Sequence, residues 1–509
     1  MSIEKVNELR DQMKDITNQI MSLINQRMKL AKNIGEIKNL LNLEIVDEKA
    51  EHELKSYILN CSKDLDLDPE FSGRIVNLLI NEAVRIQKYQ RNAAAQNPLN
   101  KPETNNEIYK SKLSQESAPS RSFQSNSVLQ LDIKSHMDVF NAAKYLESQG
   151  HKIIHMEVGE PDFLPPTEVK KGLEHVYEEH KVHYTQSEGI LPLRNALSEY
   201  ISKISGYDEN SKYISVNPSN VIVTPGGRFG IFAIFSSILR PGDEIVVIEP
   251  AWPACVDCAN YMGAKTRFVR TDLQHKWEPD INEIESQVNN NTKIICLNYP
   301  NNPTGKILPK KTLESIAQLA IKKNVFLLSD EVYSNYKYKK FSSVVNFEYK
   351  KSILLNSFSK TFAMTGFRVG YLHSLDHDLI YKLKKFQALA LTSVPEPMQF
   401  CALKALESNT EENCKVIKER IDLVCNSLRK LPFDFYIPDG AMYVFAKIQH
   451  NLKINDLKLV EALLKNGVAV APGSGFGSKY SNFIRISTCV QESKIKSGMD
   501  KIANCINLL

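Results

Sequence analysis

The sequence predicts a multidomain protein, in which an all-α unit of three helices precedes an α/β unit built on a large, mainly parallel sheet. Three observations predict it. From Val6 to Leu41 apolar residues recur at three-four spacing; from Asn92 to Ser127 the chain is rich in Asn, Gln, Ser, Pro and Lys without an apolar period; beyond Val128 strand-like runs alternate with helical stretches. A length of 509 residues agrees, because it exceeds one ordinary domain. The expected units are 1–91, 92–127 and 128–509.

Composition narrows the function classes. Hydrophobic residues at 42% and charged residues at 24% are ordinary for a soluble globular protein. A net charge of +5, without a basic run, gives no reason to expect a nucleic-acid partner. The start, MSIEKVNELR, lacks the apolar core of a signal peptide, and no run approaches the ~18 apolar residues of a membrane span. No membrane partner and a cytoplasmic location are expected. Nine cysteines without framework spacing read as reduced thiols. Cys255 and Cys258 form a C-x-x-C with no second pair, so no metal site is expected.

In the first unit the seam runs through Val6, Leu9, Met13, Ile16, Ile20, Leu23, Leu30, Ile34, Ile37 and Leu41, which describes one long helix. Arg27 interrupts it, and a guanidinium on a buried seam is costly unless an anion meets it. A second helix is expected from near Asp47. A third follows Asp68-Pro69, from Phe71 to about Tyr89, with Val76, Ile80, Ala83 and Gln87 on one face.

Residues 1–91 resemble an AroQ-type chorismate mutase, a three-helix chain that dimerises into an intertwined bundle. Arg10, Arg27, Lys38, Asp47, Glu51 and Gln87 match that family's substrate-site positions in one register without gaps. The resemblance implies that Arg10, from the second subunit, and Arg27 hold the carboxylates of chorismate. Lys38 and Gln87 would donate to the ether oxygen whose C–O bond breaks, and Glu51 would accept the ring hydroxyl. One position departs: Ala50 stands where the family usually has an arginine, with Lys49 beside it. A second reading therefore stays open, in which the first unit dimerises or regulates without catalysis.

Residues 92–127 cannot bury enough surface to order themselves and read as a flexible tether between two separately folded units. Beyond it, Ile353 to Tyr371 reads ILLNSFSKTFAMTGFRVGY. An apolar strand ends at a polar turn carrying Ser357, Ser359 and Lys360, and Arg368 follows. This suits an amine that reacts with an aldehyde beside a phosphate group. Earlier, the strand Val221 to Val223 leads through Thr224-Pro225-Gly226-Gly227-Arg228 into an apolar helix, a turn whose amides can face a phosphate.

The segment resembles the cofactor-lysine motif of the fold-type I aminotransferases, S-x-S-K followed by G-x-R-x-G, and the likeness covers about residue 128 to the end. It implies the α/β pyridoxal-phosphate-dependent transferase fold: a large domain, plus a small α+β domain made from the segment before about 165 and the last hundred or so residues. It also implies pyridoxal 5'-phosphate, bound to Lys360. Gly227, Arg228, Ser357 and Arg368 would hold the phosphate, Trp252 would stack on the ring, and Asn302, in NYPNNPTG, and Tyr333 would bond the phenolic oxygen. Asp330 would hold the ring nitrogen protonated. Tyr184 would reach the phosphate of a second subunit, which implies a homodimer. Gly159, in VGEPDF, would let the backbone pass close to substrate, and Arg485, in FIRIS, would clamp the α-carboxylate. Arg228 also stands where the acid-using branch has a lysine, so it suits a distal carboxylate. Aspartate, glutamate and prephenate each have one. The fusion points to aromatic amino acid synthesis, with small-molecule substrates in both units; the second reading is an aspartate aminotransferase whose first unit dimerises or regulates without catalysis.

Overall fold

The computed structural model describes residues 3–40, 135–204 and 215–508, together with 53–54, 56–57, 62, 67–68, 72–73, 75–80, 82–84 and 87. By its internal contacts the chain divides into Met1–Gln124 and Ser125–Leu509.

The first unit contains the long helix the spacing predicts, Ile3–Leu40. Of the third expected helix, the described residues from Ser72 to Gln87 are helical. The start of the second, near Asp47, and the tether 92–127 lie outside the described residues. One expectation is reversed. The apolar seam faces outward, with Leu23 63% and Leu30 62% exposed, whereas Ile24, Arg27, Met28, Ala31, Gly35 and Lys38 are the covered stripe. The small and polar side of the helix is bonded to Leu79 and Gln87, through Arg27 and the Ala31 carbonyl, while its apolar side is exposed.

In the second unit strand β1 (Ile154–Met156) comes first but joins the smaller of two sheets. The next seven strands form the larger sheet: β2 (Val221–Thr224), β3 (Glu244–Glu249), β4 (Lys265–Arg270), β5 (Thr292–Asn298), β6 (Phe326–Asp330), β7 (Ser352–Ser357) and β8 (Gly370–Ser374). Their order is β2-β8-β7-β6-β5-β3-β4, and only β8 runs against its neighbours. Near-continuous apolar runs such as Glu-Ile-Val-Val-Ile-Glu suit strands covered on both faces. Val246 and Ile248 pack into the core on one side of the sheet, Ile245 and Val247 into the core on the other. Burying each such side chain contributes about 1.5–3 kcal/mol.

The smaller sheet adds β9 (Phe433–Phe435), β10 (Tyr443–Ile448), β11 (Val468–Pro472) and β12 (Phe483–Ser487) in the order β1-β11-β12-β10-β9. Its core joins Val139, Ala143 and Met156 to Ile417, Leu463, Ile486 and Ile502. The small domain is thus built from both ends of the unit, as expected. Because all strands of the larger sheet except β8 share one direction, their carboxyl ends open on one side, where the small domain meets them.

Candidate active site

Five strands of the larger sheet deliver one side of the site. β7 ends at Ser357, whose hydroxyl accepts from the Ser359 amide and caps a short helix, Phe358–Thr361, carrying Lys360. β6 ends at Asp330, β5 runs on to Asn302, β3 to Trp252, and β2 to the turn before Arg228. A cavity of about 400 Å³ is lined by Gly159, Gly227, Arg228, Trp252, Asn302, Asp330, Tyr333, Ser357, Lys360, Arg368 and Arg485. The structure therefore brings together, within one chain, every residue the sequence nominates for this unit except Tyr184. That side chain is 90% exposed and does not line the cavity of its own chain.

Lys360 Nζ donates to the Gly159 carbonyl at 2.6 Å. Burial lowers its pKa, and the Arg485 and Arg368 cations push the same way against Cys489 and Glu160. The amine is thereby eased toward its neutral, nucleophilic form. Asp330 is buried, and its carboxyl is pushed up to about 7, mainly by desolvation; the Val332 amide, at 3.3 Å, and the Lys360 charge offset only part of this. A carboxyl in that state favours a cation beside it.

Arg485 is 2% exposed on β12. It donates to Asn302 Oδ1 at 2.9 Å and to the Glu157 carbonyl, and its guanidinium lies over the Tyr443 ring at 4.4 Å and the Phe476 ring at 4.9 Å. Its Nε is buried without a partner, a donor left for a ligand. Arg228, at the other side of the cavity, lies over the Trp252 ring at 4.9 Å.

The turn between β2 and the helix Gly227–Ile238 has the features of an anion site. Gly226 sits at φ +81° and supplies no capping side chain, leaving the first helical amides to a ligand. A Cβ there would stand 2.7 Å from Arg368 Nη2, so a side chain at that position would displace the guanidinium. Gly159 is constrained in the same way, although its close neighbour is the Tyr443 hydroxyl, which a Cβ at that position would approach to 1.7 Å.

Among the lining residues missed by sequence reasoning are His136 and Tyr443. Burial, then Arg485 and Arg228, hold His136 down at about 4, so it is a neutral imidazole facing two guanidiniums. The Ser135–Asp138 capping box is readable in sequence and marks where its helix begins. Nothing local shows that the helix points into a cleft built some hundred residues later.

In the first unit Arg27 Nη1 donates to the Leu79 carbonyl at 2.8 Å, so a backbone oxygen supplies part of what the sequence asks of an anion. Gln87 Nε2 donates to the Ala31 carbonyl at 3.0 Å, and its Oε1 is buried without a partner. Lys38 is half-buried on the same helix, which also carries Arg10. Asp47 and Glu51 lie outside the described residues. Among the described residues no helix is long and apolar enough to cross a membrane.

Fold and cavity together define the class, a transferase of the pyridoxal-phosphate-dependent fold. Residues 151–502 match the family model "Aminotransferase class I and II", and residues 9–88 match "Chorismate mutase type II". The chain belongs to the class I and II aminotransferases, and carries in addition a chorismate mutase-type segment. It is 36% identical to the (5-formylfuran-3-yl)methyl phosphate transaminase of Methanocaldococcus jannaschii, over 73% of this chain and 96% of that protein. It is 30% identical to the aspartate/prephenate aminotransferase of Thermus thermophilus, over 71% and 93%. The crystal structure of aspartate aminotransferase from Thermotoga maritima superposes with a TM-score of 0.69 at 31% identity, covering 74% of this chain and 98% of that one.

The cofactor is pyridoxal 5'-phosphate, as in the family at large. The residues present fit it: an amine eased toward neutrality, a buried carboxyl that favours a cation, and an uncapped helix end beside Arg368.

Proposed function

We propose a bifunctional enzyme of aromatic amino acid biosynthesis: the first unit rearranges chorismate to prephenate, and the second transaminates prephenate or an aromatic 2-oxo acid. The observation that carries this reading is the pairing on one chain of a chorismate mutase-type segment with an aminotransferase similar to one named for prephenate. We further assign a homodimeric assembly, supported by the outward apolar seam of the first unit and the outward Tyr184 of the second.

In the aminotransferase unit Ser357, Arg368 and the amides of Gly227 and Arg228 would hold the phosphate, with Tyr184 reaching in from a second copy. Trp252 would cover the ring, Asp330 would pair with the ring nitrogen, and Asn302 and Tyr333 would donate to the phenolic oxygen. When bound, the cofactor supplies an aldehyde that takes the amino group and a ring that draws electrons from the α-carbon. Arg485 grips the substrate α-carboxylate bidentately, which fixes the α-hydrogen toward Lys360. Lys360 Nζ, the amine nearest that position, would carry the proton. Arg228 meets a distal carboxylate, and neutral His136 lies beside it. The small domain closes the carboxyl side of the sheet and excludes water.

In the mutase unit no acid–base pair is needed. Arg10 of a second copy and Arg27 hold the two carboxylates, Lys38 and Gln87 donate to the ether oxygen, and Asp47 and Glu51 meet the remaining polar groups.

The test is chorismate consumption by the full-length protein with pyridoxal phosphate and glutamate, following prephenate, arogenate and phenylpyruvate. Arg27→Ala is expected to stop chorismate loss, and Lys360→Ala to stop arogenate formation while prephenate accumulates. Intact transamination of aspartate with no chorismate loss in the wild type would instead favour the second reading, to which Ala50 points.

A further inference from the structure

The Tyr443 hydroxyl stands where the parts of the aminotransferase site meet. Tyr443, 1% exposed on β10, belongs to the small domain; Tyr333, three residues past the end of β6, belongs to the large one. Their hydroxyls are 2.8 Å apart, and their rings meet edge to face at 5.6 Å and 81°. Neither hydroxyl makes a second hydrogen bond among the described residues. The Tyr443 hydroxyl also fills the space over Gly159, whose carbonyl accepts from Lys360, and the Tyr443 ring carries the Arg485 guanidinium at 4.4 Å.

We propose that Tyr443 is a positioning residue: its hydroxyl donates to Tyr333 and thereby strengthens the hydrogen bond Tyr333 gives to the cofactor's phenolic oxygen, while its ring seats Arg485. This rests on the roles assigned above to Lys360 and Tyr333. The direction follows from proton supply. Tyr333 has one hydrogen, and if it goes to the cofactor, the shared 2.8 Å bond takes its hydrogen from Tyr443. Donors in series polarise one another, so Tyr333 becomes a stronger donor than it would be alone. The titratable and charged groups facing this cluster are Asp330 at the end of β6, Lys360 on the short helix, Glu160 beside Gly159, Arg485 on β12, Arg368, and Cys489 just beyond β12. None of them is changed by removing the Tyr443 oxygen.

A donor on the phenolic oxygen favours the less protonated form of the lysine–cofactor linkage. The experiment uses the full-length holoenzyme and reads two quantities, the pH midpoint of the visible absorbance change of the bound cofactor and the KM for the amino donor. Tyr443→Phe keeps the ring and removes the oxygen; it is expected to raise the midpoint by about 0.4–1 pH unit with KM within about twofold. Tyr443→Leu also removes the seat of Arg485 and is expected to raise KM by about 3–30-fold. Tyr333→Phe is the control and is expected to raise the midpoint further than Tyr443→Phe. If Tyr333→Phe shifts the midpoint and Tyr443→Phe does not, the hydroxyl is packing only and the proposal is wrong. A downward shift in Tyr443→Phe would mean that Tyr443 competes for the Tyr333 proton, which also overturns it. An unmoved midpoint in Tyr333→Phe removes the role of Tyr333 and the proposal with it, while leaving the transaminase reading intact.

Discussion

Asp330 shows how a single group links stability to cofactor binding. Its pKa in the folded chain, about 7, lies above the ~3.9 of a free aspartate. The sign follows: the contribution of the group to stability is intact below about pH 4 and is lost as pH climbs through 7. In the cofactor-free chain Asp330→Asn is therefore expected to raise Tm at pH 8, by on the order of 1–4 kcal/mol of stability, with the gain vanishing toward pH 4. The same change weakens cofactor retention. Thermal melts across pH with and without pyridoxal phosphate check both, and a cofactor-free variant that melts below wild type at pH 8 would contradict the account. At this scale Lys360, Asp330, Asn302 and Arg485 were legible because each stands in a short motif after an apolar strand. His136 and Tyr443 were not, since what they touch lies on segments remote in sequence.

The turn from β2 into the helix Gly227–Ile238 is the element proposed to hold the phosphate. Gly226→Ala places a side chain at φ +81° and against Arg368. The expected cost is about 1–2 kcal/mol in urea unfolding, with cofactor affinity reduced tenfold or more because the guanidinium is displaced. A variant with wild-type affinity would show that Arg368 does not serve the phosphate. The strands were readable because both-sided burial demands nearly unbroken apolar runs, and their ends because polar turns follow them. In the first unit the three-four spacing located the helix but misassigned its inner face. Periodicity shows that a helix has an apolar side; it does not say which neighbour covers it, and here the neighbour inside the unit takes the stripe of Arg27, Ala31 and Gly35 instead.

Across the whole molecule the same outward seam becomes a statement about assembly. Ile16, Ile20, Leu23, Leu30 and Ile37 are each at least half exposed on one helix, a larger apolar face than a lone unit leaves to water. Ile20→Lys with Leu23→Lys is expected to abolish self-association of a 1–91 fragment in sedimentation velocity, and to remove chorismate consumption from the full chain while transamination continues. A wild-type fragment that sediments as a folded monomer would rule out the seam as the dimer surface. The pairing of β1 with β11, Ile154 against Val468, has a consequence for biosynthesis. As the chain leaves the ribosome, β1 has no partner strand until almost the whole protein has been made, whereas the larger sheet can close as soon as β8 emerges. The proposed phosphate pocket is thus assembled before Arg485, the proposed substrate clamp, exists. A nascent chain can acquire its cofactor before it can begin to use it.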